Sequence, residues 1–162
     1  MTHLFRLRLR RRDEGGVTIV EAAFVLPVLF ALALALFDMG QWVLQTTQLS
    51  GAARDGARAG ILNYKTAAGT VTNTSTPTSG TGLEAVNNAI KGRLAGQAYS
   101  ATVTCVGPSD EVSKSCVTAA PDADRIKVAV SWTRQPLTPI TSIFGPQVVR
   151  GNAVMQLVGQ PE

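Results

Sequence analysis

From Val17 to Phe37 the chain runs for twenty-one residues with only Thr18, Glu21 and Pro27 departing from an apolar pattern. At about 1.5 Å per residue a helix of that length reaches roughly 31 Å, the thickness of a bilayer's hydrocarbon core. Lipid offers no hydrogen bonds to a bare backbone, so an inserted run must be helical, and Pro27 should bend it by crowding the Ala23 carbonyl. Past Asp38 an apolar stripe continues through Met39, Trp42, Leu49, Ala52, Ala53, Gly56 and Ala59 at helical spacings. The helix is therefore expected to project out of the membrane as far as Leu62.

Its outer part reads Gly51-Ala-Ala-Arg-Asp-Gly56-Ala-Arg-Ala-Gly60. Each glycine costs a helix about 1 kcal/mol relative to alanine, so close packing has to offset the loss. Ala52, Gly56 and Gly60 are four apart, a small-residue spacing that lets another helix backbone approach, while Arg54 and Arg58 fall on a different face. Ala52 and Gly56 are read as packing positions, and Gly60 as the place where the helix frays.

The chain carries 15 Lys+Arg against 11 Asp+Glu, a net charge of +4. Arg6, Arg8, Arg10, Arg11 and Arg12 all precede the apolar run, opposed only by Asp13 and Glu14, and without residues 1–16 the remainder is nearly neutral. A basic segment just before a span is a topology signal, placing the N-terminus in the cytoplasm and everything after Phe37 outside. It argues against nucleic acid as a partner. Cys105 and Cys116 then lie in an oxidising compartment, where a disulfide is the default and two unpaired buried thiols are the alternative. Their spacing is too wide for a CxxC redox motif, and no histidine accompanies them to build a zinc site.

Residues 63–82 are dense in Thr, Ser, Gly and Asn and read as a mobile, exposed loop. Thr81 and Glu84 have capping-box spacing, and Leu83, Val86, Ile90 and Leu94 then repeat at three and four before Gly96, which predicts a second, shorter amphipathic helix. Tyr99, Ala101, Val103 and Cys105 alternate with polar residues as in a half-buried strand. Ile126, Val128, Val130 and Trp132 do the same more clearly. Pro136, Pro139 and Pro146 interrupt regular structure, and 148–158 reads as a weaker strand with a bulge at Gly151 and Asn152. The expected fold is α+β: a long N-terminal membrane-spanning helix over 17–62, then an extracytoplasmic domain over 83–162 with a short helix on an antiparallel sheet of about three strands, which the outer half of the long helix also flanks.

No catalytic site is legible. His3 is the only histidine and lies in the basic leader, so histidine-dependent nucleophiles and metal sites lack their base or ligand. Asp110 with Glu111, and Asp122 with Asp124, lack the spacing of a calcium loop and read as solvated loop charge. No phosphate loop is present, and neither a cofactor nor a metal is expected.

Glu21 stands out because a carboxylate inside a span costs about 2.5–3.5 kcal/mol at the helix centre and less near the interface. It calls for a cationic partner or a route for snorkelling to the headgroups. A basic leader ending in Gly16, an apolar run starting at Val17 and a glutamate at its fifth position together resemble the class III signal of type IV pilins and pseudopilins. Gly16-Val-Thr-Ile-Val-Glu21-Ala-Ala-Phe-Val-Leu-Pro27, followed by Ala52-Ala-Arg-Asp-Gly56-Ala-Arg58, resembles the TadE-like family, minor pseudopilins of tight-adherence (Flp-type) pilus systems. The resemblance implies removal of a leader over 1–16 by a prepilin peptidase, with Gly16, Val17 and Glu21 as cleavage and recognition residues. It further implies a non-enzymatic role in pilus assembly, with other pilin and pseudopilin subunits and the assembly machinery as partners, in the inner (cytoplasmic) membrane and in an extracellular pilus. The rival reading is a signal-anchored or secreted periplasmic binding protein, since Ala33-Leu34-Ala35 resembles a signal-peptidase box. Against that, a secretory apolar region is usually 7–15 residues long and has no glutamate within it.

Overall fold

A computed structural model describes residues 15–76, 78–109, 112–134 and 145–158. The basic leader with His3 and its arginines, Pro77, Asp110, Glu111, Pro136 and Pro139 lie outside the described residues. Helix α1 spans Gly15–Leu62 without interruption, through Pro27. A single 3-10 turn at Tyr64–Thr66 leads to strand β1, Gly69–Thr72. Helix α2 covers Gly82–Arg93, followed by β2 (Ser100–Val106), β3 (Ser113–Lys114), a 3-10 turn at Cys116–Thr118, β4 (Arg125–Arg134) and β5 (Gln147–Gln156).

The sheet is antiparallel with the order β1-β2-β4-β5, and β3 pairs with β2 as well. β4 lies along the whole of β2, while β1 pairs at Ser100 to Val103 and β3 at Cys105 and Val106, so these two short strands share the other edge of β2. Among the described residues five strands thus replace the expected three. β1 escapes a reading of local pattern because Val71 is the one large apolar residue in a Thr- and Gly-rich stretch; pairing with β2, not periodicity, makes it a strand. The same region was expected to be an exposed loop, yet Tyr64, Ala67 and Val71 are buried in the core.

One face of the sheet carries Val71, Ala101, Val103, Cys105, Ile126, Val128, Val130, Val149 and Ala153, all buried. Against it pack α2 and the outer half of α1, whose Leu49, Ala52, Ala53 and Ala57 join the same core. The other face is wet, with Thr102, Arg150, Asn152 and Gln156 exposed. The alternation expected for β2 and β4 is the physical cause of this division: a period of two sends each apolar side chain to one side.

α2 begins as its local chemistry requires. Thr81 Oγ1 accepts from the Glu84 backbone N–H at 3.2 Å. The Glu84 carboxylate reaches one residue further back than in the usual capping box and accepts from Gly80 N–H at 2.6 Å. Val86 and Ile90 are buried on the face toward α1, and Gly96 takes a left-handed φ of +81° in the turn that follows Leu94.

Two glycine readings need correction. Gly60 does not fray: it is buried within α1, and a Cβ there would stand 2.7 Å from Ile126 Cδ1 and 3.0 Å from Val86 Cγ2. Packing from two distant segments holds the last turn closed. Nor is there a bulge at Gly151 and Asn152, because the register runs unbroken from Arg134↔Gln147 to Arg125↔Gln156. Gly151 is required for a different reason: a Cβ there would meet the peptide joining Leu49 to Ser50, with Leu49 O at 2.6 Å. β5 lies directly on the backbone of α1 at this point.

Candidate functional site

Along its first half α1 is apolar and exposed on every side, with Ile19, Phe24, Leu29, Phe30, Leu36 and Phe37 among the uncovered side chains. By length and composition it is apolar enough to cross a membrane. Glu21 is exposed on this bare helix, and among the described residues no hydrogen bond or ion pair reaches it. Gly16 is likewise exposed, with open space where a Cβ would be. The segment holds a carboxylate and an open glycine with no other described residue packed on them.

The second half of α1 is the opposite case. Ala52 and Gly56, the expected packing positions, are both buried. Their neighbours come from the same chain: a Cβ on Gly56 would lie 3.0 Å from Ile90 Cγ1 and 3.3 Å from Val86 Cγ1 of α2. The small residues therefore seat α2 and the sheet. Gly51 lies beneath the Arg93 guanidinium, which bonds Asp55 at 2.8 Å. Arg54 and Arg58 are exposed, away from this packing.

Between the two halves sits a contact that sequence reasoning missed. Asp38, the residue after the apolar run, is only 3% exposed and accepts from Arg134 Nη2, at the end of β4, at 2.9 Å. A buried pair of this kind is costly to break from one side, since the remaining charge stays desolvated. Arg134 Nε and, two turns along α1 from Asp38, Gln45 Oε1 are buried without a hydrogen-bond partner. Only the position of Asp38 as the first charge after the run could have drawn attention to it; nothing local marks Arg134.

At the other end of the sheet Cys105 and Cys116 form a disulfide, with Cα atoms 5.1 Å apart. The loop it closes is tied down again by Asp124, which accepts from Ala120 N–H at 2.8 Å and from Lys114 Nζ at 2.9 Å. That backbone bond first, and the lysine second, hold the Asp124 carboxyl below its ordinary pKa. Asp122 takes a left-handed φ of +66° in the turn before β4. Among the described residues no group of three or more His, Cys, Asp or Glu is placed to hold a metal ion. Tyr99, whose pKa burial raises, donates to Asn87 Oδ1 at 2.8 Å and serves the core.

Residues 16–58 match the family model described as TadE-like protein. The match covers the exposed apolar helix, Glu21, Asp38 and the small-residue stretch through Arg58, and stops short of the sheet. No curated protein and no solved structure matches the chain.

Proposed function

We propose, from the TadE-like match over residues 16–58 and the bare helix that carries it, that the chain is a minor pseudopilin of a tight-adherence pilus. It serves as a structural component or assembly factor and performs no catalysis. A prepilin peptidase removes the leader between Gly16 and Val17, α1 anchors the product in the cytoplasmic membrane with its N-terminus inside, and the sheet domain faces outward. Partners are other pilin and pseudopilin subunits.

The observation that carries this reading is Glu21, a carboxylate on an apolar, uncovered helix with no cation of its own chain on it among the described residues. Cleavage after Gly16 would create an α-amino group on Val17, largely protonated near neutrality with a pKa of about 7.7–8.0. Alone in lipid each charge is costly. Between neighbouring subunits the amine of one and Glu21 of the next would offset each other's desolvation and set the axial stagger, a registry role more than a source of stability.

Three variants expressed in the native host test this. Gly16→Leu should accumulate at full length, read by intact mass. Glu21→Ala should be inserted and at least partly cleaved to a Val17 N-terminus yet fail to support piliation, and Glu21→Asp should retain part of it. Full piliation by a cleaved Glu21→Ala protein would remove inter-subunit pairing. A mature N-terminus at Leu36 in the unaltered protein would replace the pseudopilin by a secreted domain.

A further inference from the structure

Three contacts orient the sheet domain against α1. Gly60 lies beside Ile126 near the start of β4, the peptide after Leu49 lies beneath Gly151, and Asp38 bonds Arg134 at the end of β4. β4 and α1 therefore run in opposite directions. α2 also runs against α1, with Arg93 over Gly51 and Val86 beside Gly60. The disulfide loop thus stands at the end remote from the apolar half, and the Arg134–Gln147 end of the β4–β5 pair is turned toward it. The contact nearest that half, Asp38 with Arg134, is made by the residue that follows the last apolar position, Phe37. No length of bare helix separates the domain from the apolar run.

We infer that the Arg134–Gln147 end of the sheet rests on the phospholipid headgroup layer, with Trp42, Trp132, Val148 and Arg150 as the side chains at that surface. The inference rests on the membrane-anchor reading above. Depth is the first argument. With Phe37 at the hydrocarbon edge, Trp42 lies about 7 Å further along the helix, within the headgroup layer of about 5–8 Å on each side. At about 3.3 Å per residue, Trp132 and Val148 lie within about 7 Å of the sheet's end along their strands, and Arg150 within about 10 Å.

Residue chemistry is the second argument. Trp42 and Trp132 are the chain's two tryptophans, and both fall at this level, Trp42 exposed and Trp132 half-buried with its ring against the core. An amphipathic indole ring favours a site where one side is apolar and the other wet. Val148 is 54% exposed on the open face of β5, two residues from the exposed Arg150. The third argument is charge. Apart from Glu21 within the run and Asp38 in its ion pair, the described carboxylates stand at the remote end: Asp55 about 25 Å along α1 from Asp38, Glu84 at the start of α2, and Asp122 and Asp124 before β4. At the near end Arg134 is taken up by Asp38, and the exposed Arg150 has no exposed carboxylate beside it among the described residues, so its guanidinium is open to a phosphate headgroup. The buried Asp38–Arg134 pair gains a purpose in this setting, because it clamps the sheet to the helix at the depth where the lipid begins.

The test uses the full chain, with its disulfide verified by mass, reconstituted in mixed phosphatidylcholine and phosphatidylglycerol vesicles. A nitroxide is placed in turn at Phe30→Cys, Val148→Cys and Val154→Cys, and its collision rates with oxygen and with a water-soluble nickel chelate are measured. Val148 and Val154 share the open face of β5 and lie about 20 Å apart along the strand. The expected result is oxygen access at Phe30, free chelate access at Val154, and chelate access at Val148 lower by severalfold. Equal chelate access at Val148 and Val154, with Phe30 in hydrocarbon, would overturn the inference and leave the anchor standing. Chelate access at Phe30 would instead remove the anchor reading itself. Shielding of Val148 that comes with spin–spin broadening and disappears on dilution with lipid would assign the surface to a second protein copy and likewise overturn a lipid contact.

Discussion

Gly151 and Gly92 show what a single methyl group can decide. A Cβ at Gly151 would enter the backbone of α1 at Leu49 and Ser50, which cannot move without displacing the helix, whereas a Cβ at Gly92, near the end of α2, meets nothing within 4 Å. Gly151→Ala should therefore destabilise the protein by about 1–3 kcal/mol. Gly92→Ala should stabilise it by about 0.5–1 kcal/mol through helix propensity. Thermal unfolding of the detergent-solubilised chain would check both, as midpoint shifts of opposite sign. At this scale the legible residues are those whose role is local: Thr81 and Glu84 declare a helix start because their partners lie within a few positions, and both are engaged there. Gly60 and Gly151 are misread because the atoms that need their missing side chains arrive from Ile126, Val86 and Leu49, far away in the chain.

Among the elements, the disulfide loop between β2 and β4 depends on the ionisation of Asp124. Asp124 is 1% exposed and its pKa is lowered by the Ala120 N–H and by Lys114. A carboxylate with a depressed folded pKa contributes stability above its unfolded value of about 3.9, and that contribution is lost as pH falls through the lower folded value. Unfolding of the wild-type chain should thus become easier on acidification below about pH 4. Asp124→Asn should be less stable at neutral pH and should flatten the acid limb of the stability profile, measured by urea midpoints from neutral to acidic pH. The strands themselves vary in legibility for a physical reason. β2 and β4 declare their buried face through strict alternation, whereas β1 and β3 exist because β2 offers them an edge.

Taken whole, the molecule divides at Asp38 and not at the end of α1. Leu49, Ala52, Ala53 and Ala57 belong to the core that the sheet and α2 complete, and each is fully buried. A fragment of residues 38–162 should therefore be soluble and fold cooperatively with its disulfide formed, whereas residues 63–162, which lose that helix face, should expose the sheet's apolar side and aggregate. Circular dichroism and gel filtration of the two fragments would decide; a well-folded 63–162 fragment would show that the outer half of α1 is dispensable. The amino-acid order alone was enough for the apolar run, the strand faces and the helix cap, because these rest on periodicity and on partners within a few residues. It was enough for the resemblance that residues 16–58 carry, since that motif is also local. Tertiary structure alone decided that Ala52 is buried in the chain's own core, that Gly56 seats its second helix, that Gly60 closes α1, and that Asp38 meets a residue 96 positions away. Those outcomes depend on which surfaces arrive together when the core closes, and close packing makes each of them sensitive to single atoms that no local pattern records.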